Sequence, residues 1–253
     1  MPEFDYQREL SLIDILVLDS SHASRYIRSF TRTSAMCEDG MESLEQAFGE
    51  LRSLVHRGED VPAQEWCAFL SSHRDIHPER YDQVWLPYLT RVELPTFKVA
   101  SIERCHELLG CLPQGIKLRF TATMQPDDVT SFLDSPDIEK IVELDLSRAA
   151  LGDPGLSILA RSPLCDRLRA LDLRLNDLGA NGIAAFVEER SYASLERLVL
   201  CDNNLDNLAA SLIAESLIAP ELAWLDLSRN NIGPVGQEYL RGSARLENVF
   251  LIS

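Results

Sequence analysis

No apolar run in this 253-residue chain is long enough to cross a bilayer. The longest, Leu12 to Leu18, is broken by Asp14, and a spanning helix needs about 20 apolar residues. Positive charge is scarce, with 24 Lys and Arg against 40 Asp and Glu and a formal net charge of -16. Residues 1–93 carry 9 basic and 17 acidic side chains, and residues 94–253 carry 15 and 23. The acidity is therefore even along the chain and is not a tail. Such a surface repels phosphate backbones and anionic lipid, which disfavours nucleic-acid and membrane partners. The opening MPEFDYQREL has no basic segment followed by an apolar one, so no secretory signal is expected. The six cysteines form no disulfide framework; reduced thiols in a cytoplasmic protein are the plain expectation. No glycine-rich phosphate loop stands among the twelve glycines, and no cofactor is expected.

What the chain has is hydrophobic content, 45% of residues, and a repeat. IVELDLSRAALG from Ile141, LRALDLRLNDLG from Leu168, LERLVLCDNNLD from Leu195 and LAWLDLSRNNIG from Leu222 share one pattern, L-x-x-L-x-L-x-x-N-x-L, at a constant offset of 27 residues. Ala149 takes the Asn position in the first. Alternate side chains of a strand face opposite ways. Leu144 and Leu146, and their counterparts up to Leu225 and Leu227, therefore point inward. Asn176, Asn203 and Asn230 stand where the chain leaves the strand, and their amides can bond backbone groups that a buried bend would otherwise orphan. Ala149 cannot, so that bend is expected to be looser or bonded by other groups. Helices are expected over 154–161, 180–189, 208–218 and 235–241, where apolar residues recur at helical spacing.

The pattern resembles the ribonuclease-inhibitor-like class of leucine-rich repeats. LARSPLCDRLRALDLRLNDLGANGIAAF is also similar to cytoplasmic bacterial repeat proteins. The resemblance implies an α/β solenoid, with parallel strands on the concave side, helices on the convex side, and a core that only the stack can bury. Residues 94–253 are assigned to it. The clear repeats span 141–253, and a degenerate one begins at about 116, where Leu118 precedes Leu144 by 26 residues. Phe97–Val99 with IERCHELLGCLP reads as an earlier half-repeat. A last strand is expected over Leu246–Leu251, with Val249 set 24 residues after Leu225. Its open edge permits strand-to-strand self-association, although a short twisted strand facing solvent is the commoner outcome.

Residues 1–93 read as a mostly helical cap over the first core layer. IDILVLDSSHASRYIRSF, AMCEDGMESLEQAF and YDQVWLP also resemble a response-regulator receiver domain. Trp85 and Leu86 stand where its phospho-accepting Asp belongs, which implies a signalling protein whose receiver cannot be phosphorylated. Short apolar strands followed by capped helices are common enough to produce such a likeness. A third reading places a metal or enzymatic site here. Cys67, His73 and His77 have spacing C-x5-H-x3-H, with Cys105 and Cys111 further on. Structural zinc favours tight pairs such as C-x2-C, so solvated histidines and small buried thiols are expected instead.

Function is therefore read from the exposed strand positions. The concave face is expected to carry Glu143, Asp145 and Ser147; Ala170, Asp172 and Arg174; Arg197, Val199 and Cys201; Trp224, Asp226 and Ser228; then Asn248 and Phe250. Asp145, Asp172 and Asp226 fall in one column, with Arg148, Arg174, Arg197 and Arg229 near enough to offset them. Large exposed aromatics mark binding surfaces. A protein partner is expected on this face, with Trp224 and Phe250 as anchors and Asp226, Asp172, Asp145, Arg174 and Arg197 fixing its orientation. The expected role is a non-enzymatic adaptor, scaffold or regulator.

Overall fold

A computed structural model describes residues 96–252, apart from residues 113, 190, 191 and 218. The cap, the receiver-like segments and Cys67, His73 and His77 lie outside the described residues. Seven strands form one sheet in sequence order, β1 to β7, and each pairs in parallel with the next. They are β1 (Thr96–Val99), β2 (Ile116–Phe120), β3 (Ile141–Asp145), β4 (Ala170–Asp172), β5 (Arg197–Val199), β6 (Trp224–Asp226) and β7 (Phe250–Ile252). A helix follows each of the first six: α1 (Ile102–Cys111), α2 (Pro126–Leu133), α3 (Gly152–Ala160), α4 (Ala180–Glu189), α5 (Asn207–Ser216) and α6 (Pro234–Gly242). This is the expected α/β solenoid, and the earlier half-repeat is present as β1 and α1.

The repeat explains the sheet. Leu144, Leu171, Leu198 and Leu225 stand in register on adjacent strands, and all four are buried with Leu146, Leu173, Leu200 and Leu227. The asparagines form a ladder behind them. Asn176 Oδ1 accepts the Leu151 N–H at 3.1 Å. Asn203 Oδ1 accepts from Asn176 N at 2.9 Å and Leu178 N at 3.1 Å. Asn230 Oδ1 accepts from Asn203 N and Leu205 N, both at 3.1 Å. Where Ala149 breaks the ladder, its own carbonyl accepts the Met124 N–H at 2.7 Å. The first bend is thus bonded by other groups. The residue before each ladder position is left-handed: Arg148, Leu175, Asp202 and Arg229 have φ between 54 and 62°. None is glycine, so each costs about 1 kcal/mol that the ladder's hydrogen bonds offset.

Helix starts are held by side chains. Asp206 accepts from Leu208 N and Ala209 N, both at 3.0 Å, at the head of α5. Two further acceptors come from the preceding repeat. Asp153 in α3 accepts from Gly179 N at 2.7 Å, just before α4. Asn207 in α5 accepts from Gly233 N at 2.8 Å and Gly236 N at 3.1 Å, at the head of α6.

The last strand departs from expectation. Leu251, not Val249, pairs with Leu225, and Phe250 pairs with Trp224. Leu246 lies in a short 3-10 turn and is buried. That turn takes up residues that the sequence pattern assigns to the strand, so the register slides by two. Asn248 consequently precedes β7.

Candidate partner-binding face

The parallel register places Lys117, Glu143, Ala170, Arg197, Trp224 and Phe250 in one row across the sheet. Two residues along each strand, Arg119, Asp145, Asp172, Val199, Asp226 and Ile252 form a second row. All seven of the expected partner-binding residues therefore fall on or beside two adjacent rows.

The aspartates have a local reason for their period. Each accepts the backbone N–H two residues on: Ser147 N to Asp145 at 2.9 Å, Arg174 N to Asp172 at 3.1 Å, and Ser228 N to Asp226 at 3.0 Å. A short side chain bonding its own backbone in this way ends a strand and opens a turn. Two of these carboxylates are also neutralised within the face. Arg119 bonds Asp145 at 2.5 Å, and the Arg174 guanidinium grips both oxygens of Asp172. That contact raises the Arg174 pKa further above its ordinary value, with burial opposing it. Asp226 takes a second bond from the Ser228 hydroxyl at 2.7 Å, but no cation pairs with it among the described residues. Arg229 reaches Asp202 instead, at 3.6 Å. Neither Arg148 nor Arg197 offsets an aspartate of this row.

Arg197 lies over the indole of Trp224, with its guanidinium carbon 5.9 Å from the ring centroid. Trp224 stacks in turn on Phe250, centroids 4.7 Å apart and planes at 26°. Phe250 is 59% exposed. The indole N–H of Trp224 is shut off from solvent without an acceptor, which costs about 1–3 kcal/mol. This cation–aromatic–aromatic run is the least satisfied part of the face.

Two expected surface residues are buried. Val199 is 4% exposed and Cys201 is 7% exposed. Strands about 4.8 Å apart bring long neighbours over short side chains, and Cys201 feels the charges of Asp226, Asp202 and Arg174. Burial first, then those two carboxylates, push the Cys201 thiol up to about 11 against the guanidinium. Burial alone pushes Cys105 up to about 12. A raised thiol pKa favours the folded state below the ordinary value near 9, and the advantage is lost as pH climbs from there towards 11 or 12. Iodoacetamide at pH 8.5 should therefore label Cys105 and Cys201 at least about tenfold more slowly in the native protein than in urea, read by peptide mass mapping. Equal rates would contradict this placement. No group of three or more His, Cys, Asp or Glu among the described residues could hold a metal ion.

The opposite side carries residues that the sequence reading passed over. Leu208 is 58% exposed, Val235 54% and Tyr239 47%. Leu208 and Val235 occupy one repeat position, where Pro154 and Asn181 stand in the earlier repeats. An apolar residue at that outward position was the legible signal. No described helix is long and apolar enough to cross a membrane.

Among known families, the leucine-rich-repeat model matches residues 139–160, 168–187 and 225–240. With the seven-stranded parallel sheet and its alternating helices, these matches make the described region a leucine-rich-repeat solenoid. No curated protein matches it. A solved structure, the crystal structure of the Rad7 and Elc1 complex in yeast, is similar at 18% identity and a TM-score of 0.41. The match covers 58% of this chain and 35% of that one, so this chain spans about a third of its length.

Proposed function

We propose that the repeats bind a protein partner through the strand face around Trp224 and Phe250, and that the protein is a non-enzymatic adaptor, scaffold or regulator in the cytoplasm. The observation that carries this is the exposed Phe250 ring stacked on Trp224 with Arg197 above it. Large rigid aromatics lose little entropy on binding and dominate interface energetics. Asp226, the carboxylate of its row without a cationic partner among the described residues, orients the partner. Asp145, Asp172 and Arg174, satisfied within the face, supply shape. Buried thiols at Cys105 and Cys201 that form no disulfide are in keeping with a reducing compartment.

The test is the double variant Trp224→Ala with Asp226→Arg, compared with the parent chain by pull-down from host lysate. Partners captured by the parent should be lost or reduced at least tenfold, with circular dichroism unchanged. Undiminished capture by a folded double variant would refute the proposal. The exposed Leu208, Val235 and Tyr239 favour a second reading, in which the helix side docks the partner. Capture then falls with Val235→Glu and not with the strand-face pair.

A further inference from the structure

We propose that the strand-face patch selects an extended acidic–aromatic peptide segment. One carboxylate of the segment seats on Arg197, and an adjacent apolar or aromatic side chain covers Phe250. This rests on the strand-face reading above.

The argument starts from charge pairing across the rows. Lys117 lies 3.4 Å from Glu143, Arg119 bonds Asp145, and Arg174 holds Asp172. Arg197 has no such carboxylate among the described residues. Its neighbours in the row are Ala170 on one strand and Trp224 on the other, and its neighbour in the second row, two residues along its own strand, is the apolar Val199. The nearest acid in its own row, Glu143, is two strands away, about 10 Å. The diagonal neighbours are already engaged, Asp172 by Arg174 and Asp226 by Ser228. Arg197 is exposed, with its guanidinium 5.9 Å from the indole centroid, and a carboxylate matches the fork of donors that such a group offers.

The guanidinium of Arg197 is the donor that the patch leaves open; the Trp224 N–H, shut off from solvent, is out of a ligand's reach. Ala170, which pairs with Arg197 on the neighbouring strand, is the smallest side chain of the row. Phe250 continues the row as an open apolar surface.

Asp226 limits the choice of segment. It faces the same strip two residues beyond Trp224 on β6 and carries a charge that no described cation neutralises. A second carboxylate there is repelled. The patch therefore recognises a single acid beside an apolar residue, not an acidic run. The net charge of -16 repels such a segment at long range, so selectivity comes from contact, within about one Debye length of 8 Å at physiological salt.

The experiment uses the full chain and labelled octapeptides read by fluorescence anisotropy. One peptide has a single Glu next to Phe in a Ser/Ala background; the others replace that Glu with Gln, with Lys, or with four consecutive Glu. The single-Glu peptide should bind at least tenfold more tightly than the other three. Its association rate should rise between low and physiological salt, as the long-range repulsion is screened. Arg197→Glu should reverse the Glu-over-Lys preference, and Trp224→Ala should abolish binding of every peptide. The inference is overturned if the Lys peptide binds as well as the Glu peptide, if Arg197→Glu leaves the preference unchanged, or if no peptide binds. Those results leave the strand-face reading standing where pull-down still depends on Trp224. If capture is indifferent to Trp224→Ala, the strand-face reading itself fails.

Discussion

Replacing Asn203 with alanine is expected to lower the stability of the full chain by about 3–4 kcal/mol, the largest loss foreseen for a single side chain. The amide makes five bonds from a buried position. Its oxygen accepts from the N–H groups of Asn176 and Leu178. Its nitrogen donates to the carbonyls of Leu173, Leu200 and Cys201, at 3.0, 2.9 and 3.2 Å. Alanine fits the space but leaves two buried N–H donors bare, at about 1–3 kcal/mol each. Carbonyls, with two lone pairs, tolerate the loss better. Asn204, exposed in the same bend, is the control: Asn204→Ala should stay within about 0.5 kcal/mol. Urea unfolding followed by circular dichroism measures both. A loss below about 1 kcal/mol for Asn203→Ala would show that the ladder is geometric decoration.

Gly182→Ala should cost about 2–4 kcal/mol, although alanine is the better helix former by about 1 kcal/mol. A Cβ at Gly182 would lie 2.5 Å from Asp153 Oδ1 and 3.1 Å from the Asp153 backbone. The carboxylate cannot simply retreat, because the same oxygen accepts the Gly179 N–H at 2.7 Å. Either α3 and α4 separate or that bond breaks. Pairing the change with Asp153→Ala should restore part of the loss, since the carboxylate is gone while the close backbone remains. Thermal unfolding of the two single variants and the double variant tests this; simple additivity would rule the clash out as the cause.

The repeat was legible because one physical demand recurs at every turn. A leucine must face the core at two strand positions, and an amide must serve each bend. The 27-residue offset from Ile141 to Leu222 expresses both. Legibility ended where a residue answered two demands. Asp145, Asp172 and Asp226 read as a partner-facing column, yet their spacing is fixed first by the N–H groups of Ser147, Arg174 and Ser228. Val199 and Cys201 alternate as exposed residues do, but their short side chains lie beneath longer neighbours, and alternation carries no information on neighbour length. The register of β7 was missed because the 3-10 turn at Leu246 mimics a leucine of the repeat. Trp224 and Phe250 were legible as strand-face aromatics, although only Phe250 is exposed and Trp224 is half-buried. Their stacking and the position of Arg197 required the register itself.

The acceptors on the helix side have a mechanical consequence. Asp153 of α3 holds the chain entering α4, and Asn207 of α5 holds the start of α6. The residue at the same repeat position between them is Ala180, which has no side chain to offer, and α5 is capped from its own Asp206. The helix layer is thus tied in pairs, while the asparagine ladder on the strand side runs unbroken from Asn176 to Asn230. Under load, such an array flexes like a book whose spine is the ladder, opening first between α4 and α5. The patch at Arg197 and Trp224 rides entirely on the later block, which begins with β5, so bending at that seam leaves its geometry intact.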